Sequence, residues 1–149
     1  MPVTEHGRAA WRPVLELRVV GPDAAVPTPS DLRRLFEHRA LSRDRRERMR
    51  AVAKLLVVDR GRLVGFAAYE RAADGLRVYE LAVASHDADV RTSVLHCLLR
   101  ALETACLAGG CRRLLLMPAA VAAAGSLELE GFHFAGESCR DCWLERRVG

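Results

Sequence analysis

The chain has almost no lysine: Lys54 is the only one, and arginine supplies nearly all of the positive charge. The net charge of +4 at pH 7 is modest, so it permits an acidic partner without requiring one. We attribute the imbalance, together with the abundance of alanine and valine, to the codon bias of a GC-rich bacterial genome. The charge therefore gives no reason to expect a dedicated nucleic-acid-binding protein.

The chain also lacks a long hydrophobic run. No apolar stretch approaches the roughly 20 residues that cross a bilayer, so no membrane contact is expected. The opening sequence MPVTEHGRAAW lacks the basic-then-apolar order of a secretory signal. We therefore expect a soluble, cytoplasmic chain whose 149 residues form one domain around one core.

Several motifs of catalysis and metal binding are missing as well. GxSxG, HExxH and the P-loop are all absent from the sequence. Five cysteines are an odd number in a chain without an export signal, so reduced thiols are expected. Cys139 and Cys142 have the spacing of half a zinc site, and Cys106 with Cys111 would be the other half. Because no second CxxC accompanies them, we expect no metal and keep zinc as the disfavoured alternative.

The clearest positive pattern lies between residues 76 and 117 and predicts a strand, a helix and a strand. Residues 76–85 have the composition of a mostly buried strand. A helix then follows from Val90 and ends at Gly109, because apolar residues recur at spacings of three and four. Its stripe consists of Val94, Leu95, Leu98, Ala101, Leu102 and Ala105. A right-handed crossover predicts that the strand over 112–117 lies parallel to the first.

The remaining elements follow from local signals. Ser30 is expected to cap a first helix, and a second helix is expected over 43–54. Alternating or apolar runs predict strands at 14–20, 55–59, 63–69, 132–135 and 143–148. The turn at 60–62 joins two of them into a hairpin, and an alanine-rich helix is expected over 118–129.

This order of elements resembles the GNAT superfamily of acyl-CoA-dependent N-acyltransferases. Residues 55–70 (LLVVDRGRLVGFAAYE) look like its central hairpin, and residues 126–134 (SLELEGFHF) look like its late signature, with Gly131 and Phe132 matching. The resemblance implies an α/β (α+β) fold over 1–149: a mixed, mostly antiparallel sheet of six to seven strands with about four helices. It also implies transfer of an acyl group, expected to be acetyl, from an acyl-CoA cosubstrate to an amine of a small molecule or a protein.

The loop that binds the CoA pyrophosphate in this family departs from its usual form, Arg/Gln-x-x-Gly-x-Gly/Ala. Here residues 86–93 read HDADVRTS, and neither glycine is present. The resemblance leaves phosphate binding to the side chains of His86, Arg91, Thr92 and Ser93. Asp87 and Asp89 oppose it, because a carboxylate about 6 Å from a phosphate costs about 3 kcal/mol at a dielectric near 20, before salt screening.

The resemblance assigns the reacting groups to the strand before this loop. In the family a bulge opens this strand, and the resemblance implies that the backbone of Leu81, Ala82 and Val83 would hold the thioester and the pantetheine arm. Glu80 would be the general base that takes the amine proton, and the alternative is that Glu80 pairs with an arginine. Leu127 stands where the family often has a tyrosine as the acid.

Three further alternatives stay open from the sequence. The altered loop and the missing tyrosine are also compatible with a GNAT-like scaffold that has lost catalysis and serves as a binding or regulatory module. Eight arginines between Arg33 and Arg50 are interpreted as solvated helix faces, with an acidic or nucleic-acid acceptor as the less favoured alternative. A homodimer formed through the late strands is also open.

Overall fold

The computed structural model describes residues 15–23, 28–36, 41–84, 87–118, 120, 132–134 and 144–149. The helices are α1 (Pro29–Leu35), α2 (Arg43–Ala51) and α3 (Ala88–Ala108). The strands are β1 (Leu15–Val20), β2 (Ala53–Asp59), β3 (Arg62–Ala72), β4 (Gly75–Val83), β5 (Arg113–Leu116), β6 (His133–Phe134) and β7 (Leu144–Arg147). Within these ranges, no helix is long and apolar enough to span a membrane.

The seven strands form one sheet in the order β1-β2-β3-β4-β5-β7-β6. Every neighbouring pair is antiparallel except β4 and β5, which are parallel and joined by the crossover helix α3. The mixed, mostly antiparallel sheet predicted from the sequence is thereby confirmed. The helix expected over 118–129 lies almost wholly outside the described residues, which contain three helices.

Helix α3 covers one face of the sheet, as its apolar stripe predicted. Val94, Leu95, Leu98 and Leu102 are almost fully buried and pack against apolar side chains of β2, β3, β4 and β5. Gly65 in β3 allows this close approach, because a Cβ atom there would lie 2.5 Å from Cγ1 of Val94. The opposite face carries a second core, built from residues of α1 and α2 and from the other side of the strands.

Two local predictions on that opposite face need correction. Thr28, not Ser30, is the N-cap of α1: its hydroxyl accepts from the Asp31 N–H at 3.2 Å, and Asp31 completes a capping box. Helix α2 ends at Ala51, three residues before the predicted end. Lys54 belongs to β2 instead, and its buried ammonium donates to the carbonyl oxygens of Arg50 and Val52 at the end of α2.

Candidate functional site

A β-bulge in the middle of β4 brings two consecutive side chains to the same face of the sheet. The register of β4 against β3 shifts by one residue here, so Tyr79 has no opposite residue in β3. Val78 and Leu81 both lie in the core under α3, and the two residues between them therefore do not alternate. Tyr79 and Glu80 both lie on the α2 side.

A gap opens between β4 and β5 just beyond this bulge. The two strands pair only from Leu76 to Val78, and a last hydrogen bond joins the Met117 N–H to the Val78 oxygen at 3.0 Å. No strand among the described residues pairs with the rest of β4 on this side. The backbone of Leu81 to Val83 therefore lies at the edge of the gap.

The hydrogen-bond ladder decides which backbone groups of β4 face that gap. The Ala84 N–H donates to the Val64 oxygen in β3 at 2.8 Å. Since groups alternate in direction along an antiparallel ladder, the N–H of Ala82 also points to β3, whereas those of Leu81 and Val83 point to the gap. The Val83 oxygen accordingly accepts a long hydrogen bond, 3.4 Å, from Nη1 of Arg91.

The N-terminus of α3 lies next in the chain, and Asp87 caps it. One carboxylate oxygen of Asp87 accepts from the N–H groups of Asp89 at 2.9 Å and Val90 at 3.2 Å. Both aspartates are solvent-exposed. Two of the free N–H groups that a helix N-terminus offers to an anion are thus already occupied by a carboxylate of the chain.

The predicted phosphate-binding side chains do not all lie together. Arg91 reaches back to β4, and the Thr92 hydroxyl donates to the Ala88 oxygen one turn earlier, at 3.0 Å. Ser93 lines a hollow on the β1 side of α3, beside Leu17. His86 falls outside the described residues.

Glu80 forms a bidentate ion pair with Arg45 of α2. Nε of Arg45 donates to Oε2 of Glu80 at 2.9 Å, and Nη2 donates to Oε1 at 2.7 Å. The Glu80 side chain is 3% exposed and that of Arg45 is 36% exposed, so the arginine separates the carboxylate from solvent. The hydrogen bond to Glu80 raises the pKa of Arg45, and partial burial opposes that rise.

Helix α2 holds this arginine in place through its first turn. The Arg45 N–H donates to Oγ of Ser42, the N-cap of α2, at 3.2 Å. The guanidinium lies 5.7 Å from the ring centre of Phe36, and that of Arg48, one turn later, lies 4.8 Å from the ring centre of Tyr79. Two arginines thus stack on aromatic rings beside the bulge.

Sequence reasoning offered two interpretations of Glu80, and an arginine partner is what the structure contains. The ion pair with Arg45 does not test whether Glu80 acts as a general base, and that role stays a prediction. Arg45 itself was missed. The available signal was the spacing of Arg45, Arg48 and Met49, which places all three on one side of α2, with Met49 buried.

No cluster of three or more His, Cys, Asp or Glu side chains that could hold a metal ion occurs in the described part of the chain. Cys106 and Cys111 are buried free thiols, and burial raises the pKa of the Cys106 thiol. Cys139 and Cys142 lie outside the described residues. The zinc alternative therefore stays untested, because one of its two cysteine pairs lies outside the described residues.

No protein-family model matches the chain, and no curated protein sequence matches it. Solved structures do. N-acetylglutamate synthase from Neisseria gonorrhoeae, complexed with coenzyme A and N-acetyl-glutamate, superposes with a TM-score of 0.60 at 17% identity. The match covers 93% of this chain but only 36% of the synthase, so the chain spans about a third of that protein.

Two similar structures match over nearly their whole length. Ard1 from Thermoplasma volcanium gives a TM-score of 0.57 at 15% identity, over 91% of this chain and 98% of its own. A GNAT-family protein from Desulfovibrio desulfuricans gives 0.54 at 15% identity, over 91% and 98%. The chain therefore has the fold of the GNAT N-acetyltransferases.

Proposed function

We propose that the chain is a single-domain, acyl-CoA-dependent N-acyltransferase that transfers an acyl group, in the first instance acetyl, to an amine. The observation that carries this proposal is the gap between β4 and β5, with the N–H groups of Leu81 and Val83 facing it. Such N–H groups can donate to the thioester oxygen as negative charge develops there. Coenzyme A in the gonococcal synthase structure supports the choice of cosubstrate.

In this proposal Glu80 receives the proton of the attacking amine. The amine nitrogen forms a bond to the thioester carbonyl carbon, the carbon–sulfur bond breaks, and the leaving thiolate takes a proton from solvent. Both oxygens of Glu80 already accept from Arg45, so the carboxylate must act through a remaining lone pair or after Arg45 moves. A water molecule between amine and carboxylate would serve the same purpose.

The same arginine suggests the chemical class of the acceptor. Arg45 pairs with Glu80, and Arg48 lies over the ring of the neighbouring Tyr79, so a positively charged amine on this side would be repelled by the two guanidinium groups. An acceptor that also carries a carboxylate would be attracted and could draw Arg45 away from Glu80. We therefore propose that the acceptor is an amine that also carries a carboxylate, such as an amino acid or the N-terminus of an acidic peptide.

The phosphate end of the cosubstrate is proposed to lie at the start of α3. Arg91 and Thr92 would supply side-chain donors there, together with His86, which precedes the helix in the sequence. Ser93 lies on the β1 side of α3 and is not included. Asp87 weakens this site because it occupies two N–H groups and adds negative charge. Binding is therefore expected to be weaker than in a loop with glycines, and to depend on salt.

The alternative function is a non-catalytic GNAT-like scaffold that binds a partner. The capping of α3 by Asp87 favours it, since a helix end closed by its own carboxylate is a poor site for a pyrophosphate. The covering of Glu80 by Arg45 favours it too.

Calorimetric titration of acetyl-CoA into the reduced protein at two salt concentrations separates the two functions. Saturable binding that weakens with salt supports the enzyme, and the variant with Asp87→Gly and Asp89→Gly should bind more tightly. An acidic-amine screen then follows, in which Glu80→Gln is expected to lower turnover about 100-fold or more without abolishing cosubstrate binding. Absence of binding at millimolar acetyl-CoA, in both the natural chain and the glycine variant, would favour the scaffold.

A further inference from the structure

The outer strand β1 exposes more apolar surface than an edge strand usually does. Of the described large apolar side chains, those classed as exposed are Leu17 at 42%, Val19 at 69% and Leu107 at 50%, and the first two belong to β1. No strand in the described ranges pairs with the far side of β1. The opposite edge of the sheet, β6, is only two residues long. The face of β1 that bears Leu17 and Val19 carries no charge, and an edge strand without charge or a cover tends to pair with another chain.

The side chains of β1 divide cleanly between the two faces of the sheet. Leu15, Leu17 and Val19 alternate onto the α3 face, where Leu15 packs against the core. Glu16 and Arg18 lie on the other face and form an ion pair, with Nε of Arg18 3.1 Å from Oε1 of Glu16. Both charged side chains are more than half exposed.

This arrangement is complementary to itself. If two copies of β1 run antiparallel about a two-fold axis at Leu17, each Glu16 lies opposite Arg18 of the other copy, and each Leu15 lies opposite Val19. A register shifted by one residue would set Leu17 against Arg18, and one centred on Arg18 would set two arginines together. Only the register about Leu17 pairs unlike charges on one face and apolar side chains on the other.

We propose that the chain forms a symmetric homodimer through β1, in the register centred on Leu17. The two sheets then form one continuous sheet, and both α3 helices lie on the same face of it. This interface differs from the late strands that the sequence suggested as an edge. Since a six-residue strand pair is a small contact, dimerisation is expected to be concentration-dependent rather than permanent.

Sedimentation equilibrium of the full chain over a wide concentration range tests the proposal. The average mass is expected to rise from the 16.4 kDa of one chain toward twice that value. Arg18→Glu or Glu16→Arg alone sets like charges opposite each other twice per dimer and should weaken dimerisation about tenfold or more. The double exchange of Glu16→Arg with Arg18→Glu restores opposite charges and should restore the dimer.

The decisive outcome is dimer formation in an equimolar mixture of the Arg18→Glu and Glu16→Arg chains. In that mixture opposite charges face each other only across the interface, whereas the double exchange also restores the ion pair within one chain. Leu107→Glu, on the exposed side of α3, is the matched control and should leave the mass unchanged. Thermal unfolding of each variant checks that it is folded. A natural chain that stays monomeric at all concentrations would overturn the proposal. So would a dimer that is indifferent to both single reversals, since β1 would then not be its interface.

Discussion

The two faces of the sheet bury different chemistry. Beneath α3 the described core is wholly apolar apart from two thiols, whereas the face under α1 and α2 contains both buried charged side chains, Lys54 and Glu80. Burying a charge is costly unless it is paired, and each of the two has partners on or next to α2. The face under α3 therefore serves folding, whereas the opposite face accepts a stability cost, which is where a functional site is most expected.

The largest effect should come from the apolar face. Leu98 is fully buried under α3, so Leu98→Ala removes transfer free energy and leaves a cavity. We expect the free energy of unfolding to fall by about 3 kcal/mol, measured by urea unfolding. Leu107→Ala on the same helix, at a half-exposed position, is the control and should cost under about 0.5 kcal/mol. Equal costs at the two positions would contradict the assignment of the buried stripe.

The ion pair on the other face should respond asymmetrically, because its partners differ in exposure. Arg45→Leu leaves the nearly buried Glu80 carboxylate without its guanidinium, so we expect a loss of about 2 kcal/mol after allowance for the solvent that still reaches the site. Glu80→Leu leaves Arg45, which can turn to solvent, and should cost less. The double variant should lie closer to the natural chain than Arg45→Leu does, and urea unfolding of all three measures this.

The exposed Arg46 on the same helix offers a matched control, since Arg46→Leu removes a guanidinium of equal charge from solvent. It should change the free energy of unfolding by less than about 0.5 kcal/mol. If Glu80→Leu proved costlier than Arg45→Leu, the burial argument for the asymmetry would be wrong.

The sequence was sufficient to predict the helices and strands, but not the register and contacts between them. The stripe from Val94 to Leu102 and the hairpin around Gly61 were predictable because period and turn chemistry are local properties. The position of the bulge at Tyr79 was not, since a register shift depends on both strands of a pair, and only the family resemblance implied a bulge in this strand. The contact between Arg45 and Glu80 joins residues 35 positions apart, and no periodicity encodes such a distance.

Gly65 of β3 allows α3 to approach the sheet closely. Gly65→Ala places a methyl group 2.5 Å from Cγ1 of Val94 and 3.1 Å from Cβ of Val57, so the helix or the strand must shift. We expect a loss of about 1–2 kcal/mol, measured as a lowered urea midpoint with an unchanged slope. Combining it with Val94→Ala should recover part of the loss, because the smaller side chain vacates the space. An additive result would place the strain elsewhere.

The smallest effect should be a pH dependence from Lys54. Burial lowers the pKa of this ammonium below its ordinary value of 10.5, with nearby Asp23 opposing the shift and Arg50 adding to it. Between the lowered pKa and 10.5 the unfolded chain binds more protons than the folded chain, so this group makes stability rise with pH in that window.

Lys54→Met removes the contribution of this ammonium to the pH dependence. The difference in unfolding free energy, natural chain minus variant, should therefore increase as pH rises toward 10.5. Other groups, including Tyr69 with its raised pKa, cancel in that difference. A difference that stays flat would mean that Lys54 keeps its proton as readily in the folded chain as in the unfolded one, and the contrast between the two faces would then rest on Glu80 alone.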